Sequence, residues 1–139
     1  MRKYSQDCPI AMTLDLIGDR WTLLILRDMF MGSSRFSEFR EHSSIPPKVL
    51  SARLKWLMEN DLIEREVYSE HPLRAEYRPT ERGRSLLPII LAIGRWGLEN
   101  TFDDLEQRDR IARAIYERIP ESRPIMEEAG IVIRGAGTD

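Results

Sequence analysis

Apolar residues recur along this chain in two rhythms. Through residue 60, and again after residue 80, they fall three or four apart, the spacing of one helix face; between residues 62 and 78 they alternate, the spacing of a strand. A first helix begins at Cys8-Pro9, with Asp7 placed to cap it and proline in the first turn, where its missing N–H does no harm. Ile10, Leu14 and Ile17 share one face, and Gly18 ends the helix. A second helix, Arg20 to Met31, is rich in apolar residues (Trp21, Leu23, Leu24, Ile25, Leu26, Met29, Phe30) and stops at Gly32. A short helix over Arg35–His42 turns Phe36 and Phe39 inward. Ser43 to Pro46 is a stiff break, because a residue before proline avoids the helical region.

The helix over Pro47–Asn60 is the most informative. At about 100° per residue, Leu50, Leu54 and Leu57 form one narrow stripe, while Lys48, Ser51, Ala52, Lys55 and Glu59 lie opposite. Such a helix packs by one face and offers a small, polar and basic surface on the other. Leu62 to Tyr68 and Arg74 to Arg78 read as the strands of a hairpin, joined by Ser69-Glu70-His71-Pro72-Leu73. Thr80 caps a long helix running to Leu98, kinked at Pro88. An amphipathic helix over Asp103–Ile119 follows, and an irregular or partly ordered tail is expected beyond Pro120.

With 42% hydrophobic and 32% charged residues, the 139-residue chain has material for a core and is not a disordered polymer. One cysteine excludes an internal disulfide framework, and His42 and His71 are too far apart to suggest a metal cluster. The longest apolar run, Leu86 to Ile93, is far short of the ~20 residues that span a bilayer, and no signal peptide is visible, so a cytoplasmic protein with no membrane partner is expected. No Gly-rich phosphate loop or Ser/His/Asp arrangement suggests an enzyme, and no cofactor is implied. Net charge is −2, which argues against a non-specific nucleic-acid coat. The distribution is uneven: residues 33–98 carry a net +2 and residues 99–139 a net −4. A nucleic-acid site, if present, is a local patch in the middle of the chain.

The expected fold is mainly α with a small β-hairpin (α+β). Short helices followed by a hairpin make the winged variant of the helix-turn-helix, with long dimerisation helices. A B-DNA major groove, about 12 Å wide, admits one α-helix, and the hairpin reaches along the backbone beside it. Arg35–His42 would be the first helix of the pair and Pro47–Asn60 the reading helix. Two functional parts are expected: residues 1–102 as the DNA-binding and dimerisation domain, and residues 103–139 as a C-terminal helix and acidic tail.

The order of blocks is then specific. Cys8-Pro9-Ile10, the run from Leu14 to Asp28, Arg35-Phe36-Ser37-Glu38-Phe39, Pro47 to Lys55, Leu62-Ile63-Glu64-Arg65, Glu76-Tyr77-Arg78-Pro79-Thr80 and Gly83 to Pro88 resemble the HxlR-type transcription regulators of the MarR-like winged-helix group. The resemblance covers about residues 8 to 98. It implies a cytoplasmic homodimer on a roughly palindromic double-stranded DNA operator. Two features depart from it: Pro46 stands where such regulators usually carry a capping serine, and the tail after residue 99 is longer than their usual ending.

Lys48, Ser51, Ala52 and Lys55 are the candidate groove contacts; an ordinary solvated helix face is the alternative. Arg53, flanking the core stripe, is placed either to reach a phosphate or to brace the helix by an internal ion pair. Arg74 and His71 are the wing candidates, Arg74 favoured by the resemblance and His71 equally readable as a turn residue beside Pro72. Arg65 and Arg78 are adequately explained as alternating charges on a solvent-facing strand. Arg35 and Ser37 are placed to clamp phosphate with backbone N–H groups at a helix start. Cys8 sits at a helix N-terminus, where partial positive charge favours thiolate. In some regulators resembling this one a cysteine here senses electrophiles or oxidants, and a homodimer would bring a second Cys8; a small, half-buried residue without redox duty is the alternative. The run Leu86–Ile93 is apolar all round, a surplus that predicts a second protomer, with Ile10, Leu14, Leu87, Ile90, Leu91 and Trp96 as candidate interface residues. A pocket for a small-molecule effector of unknown identity competes for the same residues. A rival from a different class is a winged protein-interaction module without sequence-specific DNA binding.

Overall fold

The computed structural model describes residues 8–133. Packing divides the chain between Ser85 and Leu86 into two compact units. The boundary expected from the sequence falls later, after residue 102, and groups the helix after Ser85 with the winged domain.

The first unit holds α1 (Pro9–Ile17), α2 (Arg20–Phe30), α3 (Phe36–Ser43), α4 (Pro47–Glu59), an antiparallel hairpin of β1 (Ile63–Glu70) and β2 (Leu73–Pro79), and the one-turn α5 (Glu81–Arg84). The cap of α1 is Cys8, whose sulfur accepts the Ala11 N–H at 3.5 Å. Asp7, the expected cap, lies outside the described residues. Asp19 caps α2 by accepting from the Thr22 N–H, and Gly32 follows α2 with φ 107°, a conformation an L side chain resists. The turn between α3 and α4 places Ser44 in the left-handed region at φ 51°. Pro46 and Pro47 then open α4 without a side-chain cap.

The core of this unit includes the α4 stripe and Phe39 that the periodicity predicts, while of the α1 face only Ile17 is buried. Ile25, Leu26 and Phe39 are fully buried with Leu50, Leu54 and Leu57, and Ile45, Leu62 and Ile63 are buried as well. Phe36, expected inward, is half-buried. Buried polar groups lock the helix pair. Arg27 donates from Nε and Nη2 to Asp28 at 3.0 and 2.9 Å and from Nη2 to the Ser43 hydroxyl at 2.9 Å, while Ser43 donates to Asp28 in turn. Asp28 is therefore buried but paired, which ties the end of α3 to α2. Ser33 and His42 Nδ1 share a further hydrogen bond at 2.9 Å.

The long helix expected from Thr80 to Leu98 is two helices. Thr80 does cap, accepting the Gly83 N–H at 3.0 Å, but α5 ends at Arg84. The next helix, α6, runs Leu87–Asn100 with Pro88 in its first turn. Proline there starts a helix instead of kinking one, because the position needs no N–H. The second unit adds α7 (Leu105–Arg118), capped by Asp104, a 3₁₀ turn (Pro120–Ser122) and α8 (Arg123–Glu128). The tail expected to be irregular is folded as far as residue 133. Leu98, Ala112, Met126 and Ile131 form a second small core with Phe102 and Ile115 against it. Gly130, at φ 77°, ends α8 and lets the Ile131 N–H reach back to the Met126 carbonyl at 3.0 Å, folding Ile131 into that core. The Arg95 guanidinium pairs with Glu99 at 3.0 Å and with Glu128, linking α6 to α8.

Candidate nucleic-acid interface

The face of α4 opposite its leucine stripe presents Lys48, Ser51, Ala52, Lys55 and Glu59 to solvent. Lys55 Nζ stands 3.8 Å from Glu59, one turn on, a loose pair between exposed groups that leaves the ammonium available. Among the described residues, no carboxylate lies within ion-pair distance of Lys48. The Lys48 and Val49 N–H groups belong to the first turn of α4, which has no acidic residue, so the helix start keeps its positive end. The surface is short in reach, hydrogen-bonding and cationic.

Arg53 divides from this group. Its Nε stands 3.4 Å from the Asp19 carboxylate that caps α2, and that nitrogen is shielded from solvent. The ion pair is the one that the bracing reading of the sequence expects, running from α4 to the start of α2.

The hairpin rises beside α4 from a firm base. Thr80 donates to the Asp61 carbonyl at 2.7 Å and its N–H to the Leu62 carbonyl at 3.1 Å. The Tyr77 N–H donates to the Ser34 carbonyl at 2.7 Å, and the Tyr77 ring meets Phe39 edge-on at 6.4 Å. The register slips between Val67 and Ser69, a bulge that places two residues of β1 against one of β2. Arg74 and His71 are exposed at the tip, and among the described residues no carboxylate is within ion-pair distance of Arg74. Arg78, at the base, is held by Glu64 at 2.8 Å and Glu66 at 3.2 Å. The Glu64 hydrogen bond and both carboxylate charges raise its pKa above the usual guanidinium value.

The phosphate clamp expected at Arg35 and Ser37 is largely used internally. The Arg35 N–H donates to the Glu38 carboxylate at 3.0 Å, and the Ser34 N–H does so at 3.3 Å. The Ser34 backbone bond is the main cause that holds the Glu38 carboxyl below its ordinary value; the Arg35 N–H and charge add to it, against slight burial. The Arg35 guanidinium lies 5.6 Å from the Tyr68 ring and 3.6 Å from Glu76, so it grips the wing. Ser37 is exposed in the first turn of α3. The sequence showed no sign of this role for Tyr68 and Glu76, since the pairing depends on how the hairpin folds against α3.

Cys8 is a free, half-buried thiol at the start of α1. Of the expected interface residues, Ile10 and Leu14 are 71% and 57% exposed and Trp96 is 64% exposed. Leu87 and Ile90 are half-buried, and Leu91 is buried at 8% exposure. On α6 the exposed apolar stripe is Ile89, Ile93 and Trp96, which sequence reasoning caught only at Trp96. In a helix apolar all round, spacing does not say which face the chain itself covers.

A helix pair with a buried polar lock, a reading-type helix with a small cationic face and a hairpin cation beside it define a winged helix-turn-helix. Residues 16–105 match the model of the HxlR-like helix-turn-helix family, and the chain belongs to that family of transcription regulators. An uncharacterized HTH-type transcriptional regulator of Mycobacterium tuberculosis is 46% identical over 90 residues, 65% of this chain and 57% of that one. The chain thus spans little more than half the length of that relative. The regulator YdeP of Bacillus subtilis, also uncharacterized, is 39% identical over 110 residues, 74% of this chain and 86% of YdeP. Among solved structures, the redox regulator HypR in its oxidized form superposes with a TM-score of 0.63 at 40% identity, covering 68% of this chain and 99% of HypR. No helix among the described residues is long and apolar enough to cross a membrane.

Proposed function

We propose that this protein is a dimeric, sequence-specific regulator that lays α4 in the major groove of an operator, with the wing on the flanking backbone. The observation that carries the reading is the exposed face of α4, where Lys48, Ser51, Ala52 and Lys55 stand together opposite the buried stripe. Lysines reach phosphates or guanine edges, Ser51 takes either, and Ala52 allows close approach and contact with a thymine methyl. Arg74 supplies the wing contact, with His71 beside it at the tip. Arg53 acts indirectly, by fixing the angle of α4. Ser37 and the N–H groups left at the start of α3 give a minor phosphate contact.

Two copies would read half-sites about 34 Å apart on one face of the duplex, so the operator has approximate two-fold symmetry. Ile10 and Leu14 on α1 and Trp96 on α6 support the dimer, since large exposed apolar residues on regular helices are a surface for a partner. Binding of operator DNA, measured by fluorescence anisotropy against scrambled DNA across a salt series, tests the reading. A dimer neutralising six to ten phosphates gives a log–log salt slope of about −5 to −9. Lys55→Ala and Arg74→Ala should each weaken binding and flatten that slope by about one unit for every phosphate the dimer no longer neutralises. Equal affinity for scrambled DNA with little salt dependence would favour a protein-docking role for the wing.

The same reading extends to redox control. Cys8 begins α1 on the segment that carries the exposed Ile10 and Leu14, and the similar HypR is named a redox regulator. Oxidation of two Cys8 thiols to an intersubunit disulfide would alter how α1 packs in the dimer. Cys8→Ser should then leave operator affinity intact and abolish its response to diamide; an unchanged diamide response would remove the sensor.

A further inference from the structure

Between α1, along its length from Pro9 to Leu16, and the end of α4 the first unit leaves an open groove of about 630 Å³, lined by Pro9, Met12, Thr13, Asp15, Leu16, Trp56 and Asn60. The volume is that of ordinary small-ligand sites. Trp56 lines it and is fixed there: the indole N–H donates to the Leu16 carbonyl at 2.9 Å. Asn60 donates its amide N–H to the Trp56 carbonyl at 2.9 Å, which leaves its side-chain oxygen as an acceptor.

The charge around the groove is one-sided. Among the described residues, Asp15 is the only charged one that lines it. α4 brings its C-terminal end to this place with no basic residue in its last turn, while α1 runs along the groove from its first residue to its last turn. A negative helix end and a carboxylate therefore lie beside an indole, a thioether and a leucine, with no cation among the described lining residues to neutralise them. Such a setting repels anions and favours a positive charge carried on an apolar body, which the ring quadrupole of Trp56 also attracts.

We infer that this groove is a binding site for lipophilic organic cations, such as aromatic quaternary ammonium or phosphonium compounds. The ligand would press on the last turn of α4 and on α1, and would shift the angle of the helix that meets DNA. This second step rests on the proposed operator reading; the binding itself does not.

Equilibrium dialysis of the full chain with tetraphenylphosphonium, and with tetraphenylborate as the anion of the same shape, tests the site without DNA. Tetraphenylphosphonium should bind one per chain and tetraphenylborate should not. Asp15→Asn, which keeps the side-chain shape at an exposed position, should weaken tetraphenylphosphonium by about tenfold. Equal binding of both ions, no binding of the cation, or an Asp15→Asn affinity equal to wild type would each overturn the site. Absent cation binding together with a Met12→Asp variant that sediments as a smaller species would give the groove to a second copy of the chain instead. A separate anisotropy arm should show tetraphenylphosphonium weakening operator binding by the wild type and not by Asp15→Asn. An unaffected operator affinity would overturn the coupling while the dialysis result stood, and a lack of any operator binding would fail the DNA reading alone.

Discussion

At the scale of single residues, most of the decisive positions serve geometry. Gly83 approaches the chain so closely that a Cβ there would stand 1.9 Å from the Leu62 carbonyl oxygen. Since that neighbour is backbone at the foot of β1, Gly83→Ala should cost about 2 kcal/mol or more, read as a lowered urea midpoint. Glu38 acts through charge: its carboxylate holds the backbone N–H groups at the start of α3, which depresses its pKa from 4.5. A depressed carboxyl contributes stability that is present above the unfolded value and is lost as pH falls through the folded one. Glu38→Gln should therefore flatten the loss of stability below pH 4.5 and leave the neutral-pH profile parallel to wild type, as followed by chemical denaturation at stepped pH. Little of this was visible in the order of residues. Lys48 and Lys55 could be named as candidates because an exposed helix face between a turn and a hairpin is a local feature, and Arg74 because the family resemblance favours it. The fates of Arg35 and Arg53 could not, because Glu76, Tyr68 and Asp19 are brought to them by the fold.

At the scale of elements, periodicity succeeded where one face of a helix is covered and the other is not. The stripe of Leu50, Leu54 and Leu57 by itself marks both the buried and the free side of α4. It failed in the run Leu86–Ile93, where unbroken apolar sequence hid the break after Arg84 and the choice of face on α6. It failed again beyond Pro120, because a short helix closed by a left-handed glycine has too few residues to show a period. That region is nevertheless a packed element. Met126→Ala should remove about 2–4 kcal/mol from the second unit through the cavity it leaves among Leu98, Ala112 and Ile131. Calorimetry should show the loss, while the leucine-stripe core of the first unit keeps its own transition if the two units melt separately.

At the scale of the molecule, exposed apolar residues on α1 and α6 make association the main expectation. The protein should sediment as a dimer at micromolar concentration, and a charge placed in the α6 stripe, Ile93→Asp, should shift it toward monomer and weaken operator binding together. A wild-type monomer at that concentration would end the dimer reading. The fold class was legible from the order of rhythms, since helix, helix, helix and hairpin admit few compact arrangements, and the family blocks followed the same order. The covered face of each helix was not, because it depends on what the chain packs beneath itself first.

The two prolines that open α4 carry a consequence for temperature. A helix start held by a serine hydroxyl depends on one hydrogen bond in competition with water. At Pro46 and Pro47 the backbone is shaped by ring closure, and the advantage lies in the disorder the unfolded chain no longer has to lose. An entropic advantage of that kind grows in proportion to absolute temperature. Warming should therefore leave the first turn of α4, with Lys48 on it, among the last parts of the helix to fray.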